Sequence, residues 1–581
     1  MKAKEKTMKK TLLTLFALLV AAGLRAHGSA VPDAADSEAV RSALADPTAA
    51  KLARPTPGQI EWADMELEMF IHLGPSTWQG REYDDHSTPL KDMILPKLDV
   101  NQWCEAAKAF GAKQVVMVTK HTGGFCWWPT ETTDYCVRNI PWKNGKGNLV
   151  EEVATTLRRN GLKMGVYVYS DDPSYAKGIG RGGRTDDPAK QEEWNAKLRQ
   201  QWTEVLTLCG PDLVHEVWFD GGCIVPLIDI INKLAPKAQI FAGPHETVRW
   251  PGTESGKLPY PCWSSVPSNL SSAGGGDFAA TGDPDGGKWC PPECDTVLYG
   301  RGGHKWFWSA DNEKLRRSLD DLMDIYLKSV GRGGVLLLNS TPNTAGRIPE
   351  GDMKAYEAFG AEIKRRFGSP LAKTQGVGDT LELDLGGFRN VNQSWIMEDL
   401  RGGHRIRAYV LEGRGEDGRW LALAEGISVG HKKIDVFPAA IVDRLRLRIT
   451  KNVGMPVIRE LAVFYADGIK VGKGSHAHRK DPAISCGRWD QGAEAVKLNL
   501  TPHIRIPATY QVSLPPSVKV VSAKLWFNGS ELPPADCKIE GACVIIRQTQ
   551  QVTNQTQTDL ELSFAPNATA GEATIRMISE H

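Results

Sequence analysis

The chain has 581 residues, and its 70 Lys and Arg stand against 69 Asp and Glu, for a net charge of +1. That balance argues against a nucleic-acid binder, and 41% hydrophobic residues with 18 Trp rule out a disordered chain. At roughly 150 residues per domain the length allows about four units, or two or three if one of them is a barrel.

In chain order, Lys9 and Lys10 precede the apolar run Leu12 to Leu24, and the small residues Ala26, Gly28, Ser29 and Ala30 follow. This order predicts a secretory signal peptide over residues 1–30 and an exported protein, periplasmic or extracellular. The run is too short for a membrane span, and no later segment reaches about 18 apolar residues. Between residues 50 and 370 short apolar runs alternate with helical patterns. Met69–His72, Gln114–His121, Lys163–Ser170, Glu216–Asp220, Gln239–Gly243 and Val335–Asn339 read as strands. Asn101–Phe110, Asn148–Asn160, Glu192–Leu208 and Pro226–Leu234 read as the helices between them. Continuous apolar strands separated by amphipathic helices predict a parallel sheet covered on both faces, here a (β/α)₈-like barrel as catalytic domain.

Over residues 376–468 the pattern changes to short strands at turn-punctuated spacing, which predicts a β-sandwich. The polar stretch Lys470 to Lys480 reads as a linker, and a second strand set predicts an immunoglobulin-like sandwich over 481–581. The expected fold class is therefore α/β, a barrel followed by two β-sandwich domains. Of the 11 cysteines, Cys262, Cys290 and Cys294 lie near His304 but lack the second tight pair of a zinc site. Buried thiols or one disulfide are expected there.

Four predicted strands end in His72, His121, Tyr169 and Asp220, and in a barrel all such ends open on one face. Asp220 follows Val217-Trp218-Phe219 and precedes Gly221-Gly222, which leaves its carboxylate open to attack an electrophilic carbon or stabilise a cation. A strand-end Asp also serves as a turn former. A partner carboxylate is available in the loop Arg249 to Gly256, where Glu254 lies near Trp250, an apolar neighbour able to raise its pKa. Glu246, eight residues earlier, fits the pattern equally well. Two carboxylates in unlike surroundings are what glycoside hydrolysis needs, one ionised nucleophile and one protonated acid. Gly178 to Gly183 formally matches G-x-G-x-x-G, but it neither follows a strand directly nor opens a helix, so nucleotide binding is not expected.

Several stretches, in order, resemble glycoside hydrolase family 29, the α-L-fucosidases. They are Met69 to Gly74, Lys120 to Thr130 with Thr133-Asp134-Tyr135, Val217 to Gly221, Arg249-Trp250 with Gly252 to Gly256, Pro292 to Asp295, and Tyr326 to Asn339. The resemblance implies a barrel-like catalytic domain and a retaining exo-α-L-fucosidase, with Asp220 as nucleophile. The loop around Glu254 looks like the branch cleaving α-1,3/4-linked fucose, in which that Glu is the acid/base. His72, Glu82, Tyr83, His121, Tyr169, Glu293 and Trp306 are carried over as substrate-binding residues, with Trp306 against the sugar's apolar side. Three places depart from the family pattern: His121 is followed by Thr122 and Gly123, Tyr83 stands where Trp is usual, and Asp171 to Pro188 is rich in Gly and Arg. No metal or organic cofactor is implied, since two carboxylates suffice, and the expected partner is a fucosylated oligosaccharide or glycoprotein glycan. An α-L-galactosidase on the same scaffold and a non-catalytic glycan-binding protein are the alternatives. Such a mechanism predicts carboxyl groups about 5–5.5 Å apart.

Overall fold

The computed structural model describes residues 37–172, 179–243, 245–271, 278–300, 305–469, 484–501, 504, 508–549 and 557–580. The signal peptide expected over 1–30, the linker Lys470 to Lys480 and His304 lie outside the described residues.

Seven parallel strands form the catalytic barrel: β1 (Leu67–Ile71), β2 (Gln114–Lys120), β3 (Lys163–Val168), β4 (Val214–Trp218), β5 (Gln239–Phe241), β6 (Glu293–Thr296) and β7 (Val335–Ser340). Their order in the sheet is β5-β4-β3-β2-β1-β7-β6, and every neighbouring pair is parallel. Right-handed crossovers need a helix between such strands, and the chain supplies α1 (Val100–Phe110), α2 (Leu149–Arg159), α3 (Pro188–Cys209), α4 (Ile228–Leu234), α5 (Leu319–Lys328) and α6 (Glu350–Phe367). Their starts are chemically marked. Asp99 accepts from the amides of Asn101 and Gln102, Asn148 from Glu151, and Asp187 from Ala189 and Lys190 ahead of Pro188 at the first turn.

The eighth barrel position is not a strand. Val248 and Arg249 fill the gap between β5 and β6, bridging to Phe241 on one side and to Pro292 on the other. The Val248 amide donates to Ile240 O at 3.1 Å, and the Glu293 amide donates to Arg249 O at 3.0 Å. The Arg249 side chain is fully buried and donates to the carbonyls of Ala279 (2.8 Å) and Trp263 (2.7 Å), which locks this segment in place.

Beyond the barrel, a six-stranded antiparallel sheet runs from Ala372 to Phe464 around its own apolar core. Several stretches expected as separate short strands merge in it. Thr380–Glu398 and Lys433–Asn452 are single long strands that absorb their bends at breaks in register, between Asp384 and Arg389 and between Val391 and Gln393. Its Ile434, Val436, Ala462 and Phe464 belong to the same apolar cluster as the barrel helices, so this domain is packed on the barrel. Residues 484–580 form five- and four-stranded sheets facing one another across a separate core. All 11 cysteines are unpaired thiols, ten of them buried, so the one disulfide allowed for in the sequence is not formed. Trp127, Trp128 and Trp142 pack in the core of the barrel domain.

Candidate active site

Side chains alternate along a strand, so every second residue faces the barrel interior. Phe70, Tyr167, Trp218 and Phe241 project inward from β1, β3, β4 and β5 and form one aromatic layer. Trp218 stacks on Phe241 with 3.8 Å between ring centroids and lies 5.1 Å from Phe70. This layer is the floor of a cavity of about 410 Å³ at the C-terminal strand ends. Its walls carry His72, His121, Tyr83, Arg181, Asp220, Trp250, Glu254, Asp295 and Trp306.

Asp220 stands two residues beyond β4, and Gly221 and Gly222 follow it with φ of +67° and +88°. That left-handed turn suits glycine and turns the chain away beneath the carboxylate. The Tyr167 hydroxyl donates to Asp220 Oδ2 at 2.9 Å. Burial, and then the charge of Asp220, push the Tyr167 phenol well above its ordinary range, so it stays a proton donor.

Glu254 reaches the same cavity from the loop after Arg249. The loop is tied back to β6 by the Gly256 amide donating to Asp295 O (3.2 Å) and by a bridge between Ser255 and Thr296. Trp306 is the hub of this side. Its indole N–H donates to Glu254 Oε2 at 3.3 Å, and its backbone N–H donates to Glu82 Oε2 at 3.2 Å. Its carbonyl accepts from Asn339 Nδ2 at 2.9 Å, and Asn339 Oδ1 lies 2.7 Å from His72 Nδ1. The aromatic that orients the Glu254 carboxylate is therefore Trp306; the indole N–H of Trp250 donates instead to Asp295 Oδ1 at 3.1 Å.

His72 and His121 face each other with ring centroids 5.6 Å apart. Burial, and then the neighbouring imidazole, hold His72 well below its usual range, and burial alone brings His121 to about 3. Both are neutral rings at ordinary pH, suited to sugar hydroxyls, and His121 Nδ1 has no hydrogen-bond partner among the described residues. His121 faces the cavity because the register of β2 against β3 slips between Val118 and Lys120. The slip reverses the alternation, sending Lys120 outward to Gln201 of α3 and the next residue inward.

Three expectations need correction. Glu293 does not reach the cavity. It is wholly buried beneath the floor and accepts from Trp218 Nε1 at 2.9 Å, whereas Asp295, two residues on along the same face of β6, lines the cavity. Burial, and then the charge of Glu254, raise the Asp295 carboxyl well above the usual carboxylate range. Tyr169 is half-buried outside the lining, its ring stacked on His121 and Tyr167; Tyr167 is the tyrosine that enters the site. Glu82 supports Trp306 from behind the lining. Glu246, the rival acid, is buried away from the cavity in an ion pair with Lys288 (3.1 Å). Tyr83, 56% exposed, and Arg181, whose Nε donates to Gly221 O at 3.2 Å, flank the mouth. Tyr167, Asp295 and Asn339 carry site roles that the sequence reading did not assign. A signal for two of them was present, since each lies an even number of residues from an inward-facing neighbour, Asp295 from Glu293 and Asn339 from Leu337.

The family model described as α-L-fucosidase matches residues 82–240. α-L-Fucosidase 1 of Arabidopsis thaliana is 30% identical, over 71% of this chain and 87% of its own. Among solved structures, a glycoside hydrolase 29 family member from an unknown rumen bacterium superposes with a TM-score of 0.64 at 26% identity, covering 91% of this chain and 100% of its own. A candidate α-L-fucosidase from Bacteroides thetaiotaomicron VPI-5482 gives a TM-score of 0.66 at 31% identity, over 71% of this chain and 100% of its own.

Proposed function

The chain belongs to the α-L-fucosidases of glycoside hydrolase family 29, and from that premise we propose that it releases terminal α-L-fucose with retention of configuration. Asp220 attacks the anomeric carbon while Glu254 protonates the departing glycosidic oxygen, giving a covalent glycosyl-enzyme. Glu254 then takes a proton from water, the oxygen of that water attacks the same carbon, the bond from that carbon to Asp220 breaks to restore the carboxylate, and fucose leaves. One observation carries this reading. Asp220 and Glu254 line a single cavity from different loops, and each accepts a hydrogen bond from an aromatic donor, the Tyr167 hydroxyl and the Trp306 indole. The neutral imidazoles of His72 and His121 suit an uncharged sugar, and the apolar floor of Phe70, Trp218 and Phe241 suits a 6-deoxy sugar's methyl group.

The preference we propose is for α-1,3/4-linked fucose on oligosaccharides or glycoprotein glycans, supported by the resemblance of the Glu254 loop to that branch. Export is proposed with it, on the charged, apolar and small-residue order of the N-terminus. No helix among the described residues is long and apolar enough to cross a membrane. The first sandwich acts as a structural buttress, because its Ile434, Val436, Ala462 and Phe464 pack into the apolar cluster of the barrel domain.

Proton NMR of the reaction on an aryl α-L-fucoside is expected to show α-fucose as the first anomer released; β-fucose appearing first would overturn the double-displacement route. A panel of fucosylated oligosaccharides is expected to lose α-1,3- and α-1,4-linked fucose faster than α-1,2-linked fucose. Tyr167→Phe removes a charge-directed hydrogen bond worth about 1.5–3 kcal/mol. It is expected to lower kcat about 10- to 100-fold with little change in KM.

A further inference from the structure

Beneath the aromatic floor lies a second layer of inward side chains: Glu68 of β1, Gln114 of β2, Glu216 of β4 and Glu293 of β6. Register places Glu68 directly opposite Gln114. One carboxylate oxygen from each of Glu68, Glu216 and Glu293 lies within 4.8 Å of the other two. All four side chains are wholly buried, at 0% exposure. Among the described residues two donors serve them: Gln114 Nε2 donates to Glu216 Oε2 at 2.7 Å and Trp218 Nε1 to Glu293 Oε2 at 2.9 Å. Among the described residues no hydrogen bond of ordinary geometry reaches either oxygen of Glu68, Oε1 of Glu216, Oε1 of Glu293 or the amide oxygen of Gln114, although Glu68 lies close enough to Gln114, Glu216 and Glu293 to share hydrogen-bonding protons with them. The Gln114 amide is itself within the cluster, since its nitrogen is bonded to Glu216. Among the described residues no Lys or Arg forms an ion pair with any of the three glutamates.

Three buried carboxylates facing one another carry a large desolvation cost, which either shared protons or a positive charge between them relieves; burial pushes all three carboxyls above their usual range. We propose that this layer is a structural site for a hard divalent cation of calcium's size, ligated by Glu68, Glu216, Glu293 and the Gln114 carbonyl. The donor set is oxygen alone, which selects calcium or magnesium over zinc or copper. The centre of an equilateral triangle with 4.8 Å sides lies about 2.8 Å from each corner (4.8 Å divided by √3), so a small inward shift of the three oxygens brings them to the 2.3–2.6 Å of calcium–oxygen bonds. The two existing hydrogen bonds fall on oxygens other than those left open, and so orient the ligands as outer partners of metal sites do. The site takes no part in the chemistry. It ties Glu293, and through it the Trp218 ring of the cavity floor, to three other strands.

The test uses the full chain, gel-filtered into metal-free buffer and analysed by plasma mass spectrometry, with thermal unfolding followed in parallel. About one equivalent of calcium or magnesium per chain is expected, or else a rise in Tm of about 5 °C or more when 5 mM CaCl₂ or MgCl₂ is added. Glu68→Gln and Glu293→Gln, which keep shape and remove charge, are expected to lose the bound metal and the Tm response. Less than about 0.1 equivalent in the wild type together with an unmoved Tm overturns the proposal, and the carboxylates then share protons instead. Metal retained in either folded variant at the wild-type level overturns it too. If neither variant folds, an anomalous scattering peak from Mn²⁺ among the three glutamates of the wild type decides for it, and its absence against it.

Discussion

Asp220→Ala is expected to lower kcat on an aryl α-L-fucoside by about 10⁴-fold or more while leaving the unfolding temperature within about 2 °C of the wild type. The kinetic loss follows from the proposed chemistry, because the carboxylate that would form the glycosyl-enzyme is gone; the carboxyl of Asp295, which also lines the cavity, is raised well above its usual range by burial and then by Glu254, and is a poor substitute. The small effect on stability follows from exposure. Asp220 is exposed at the strand-end turn, and its replacement takes away the acceptor of the Tyr167 hydroxyl, a group that borders the cavity. A small anionic nucleophile such as azide, fitting the space left by the side chain, is expected to restore turnover and to yield the glycosyl azide of inverted configuration. Rescue giving the retained azide, or wild-type rates without any rescue, would remove Asp220 from the nucleophile's role.

Glu254→Ala is expected to cost about 10²–10⁴ in kcat/KM for a natural glycan, whose leaving oxygen must be protonated. The loss should shrink towards tenfold for an aryl fucoside with a strongly acidic phenol, because that leaving group departs without a proton. The parallel variant Glu246→Ala separates the two acids. Glu246 is buried in an ion pair with Lys288, so its loss leaves the half-buried ammonium with the Leu270 carbonyl but without this counter-charge and lowers Tm, with kcat changed less than about threefold. If the leaving-group dependence appeared in Glu246→Ala and not in Glu254→Ala, the acid/base assignment would be reversed.

Much of the barrel was legible because its strands are apolar runs buried on both faces, and such runs stand out against amphipathic helices. β1 to β5 and β7 were located to within a few residues. β6 was not, since Glu293-Cys294-Asp295-Thr296 alternates acidic groups with small ones and has only four residues. The closing segment Val248-Arg249 carries no strand signal at all, because its pairing is supplied by its neighbours. Site residues at strand ends, His72, His121 and Asp220, were legible by position. What alternation cannot tell is depth: Glu293 and Asp295 share one face, yet one lies under the floor and the other in the cavity. Tyr167 and Tyr169 show the same limit: two residues apart across the end of β3, with their rings stacked, only Tyr167 lines the cavity. The slip in β2 that turns His121 inward is a matter of pairing between two strands, which neither strand encodes alone.

The closure of the barrel by two residues has a practical meaning for protein engineers. Residues 239–256 run from a barrel stave through the closing segment to Glu254, the proposed proton donor, so they are expected to transplant as one cassette rather than as a stave and a separate loop. Shuffling the tip alone, around residues 251–253, alters what the leaving sugar meets without loosening the hoop. Cutting between Phe241 and Val248 would unfasten the wall and misplace the acid together.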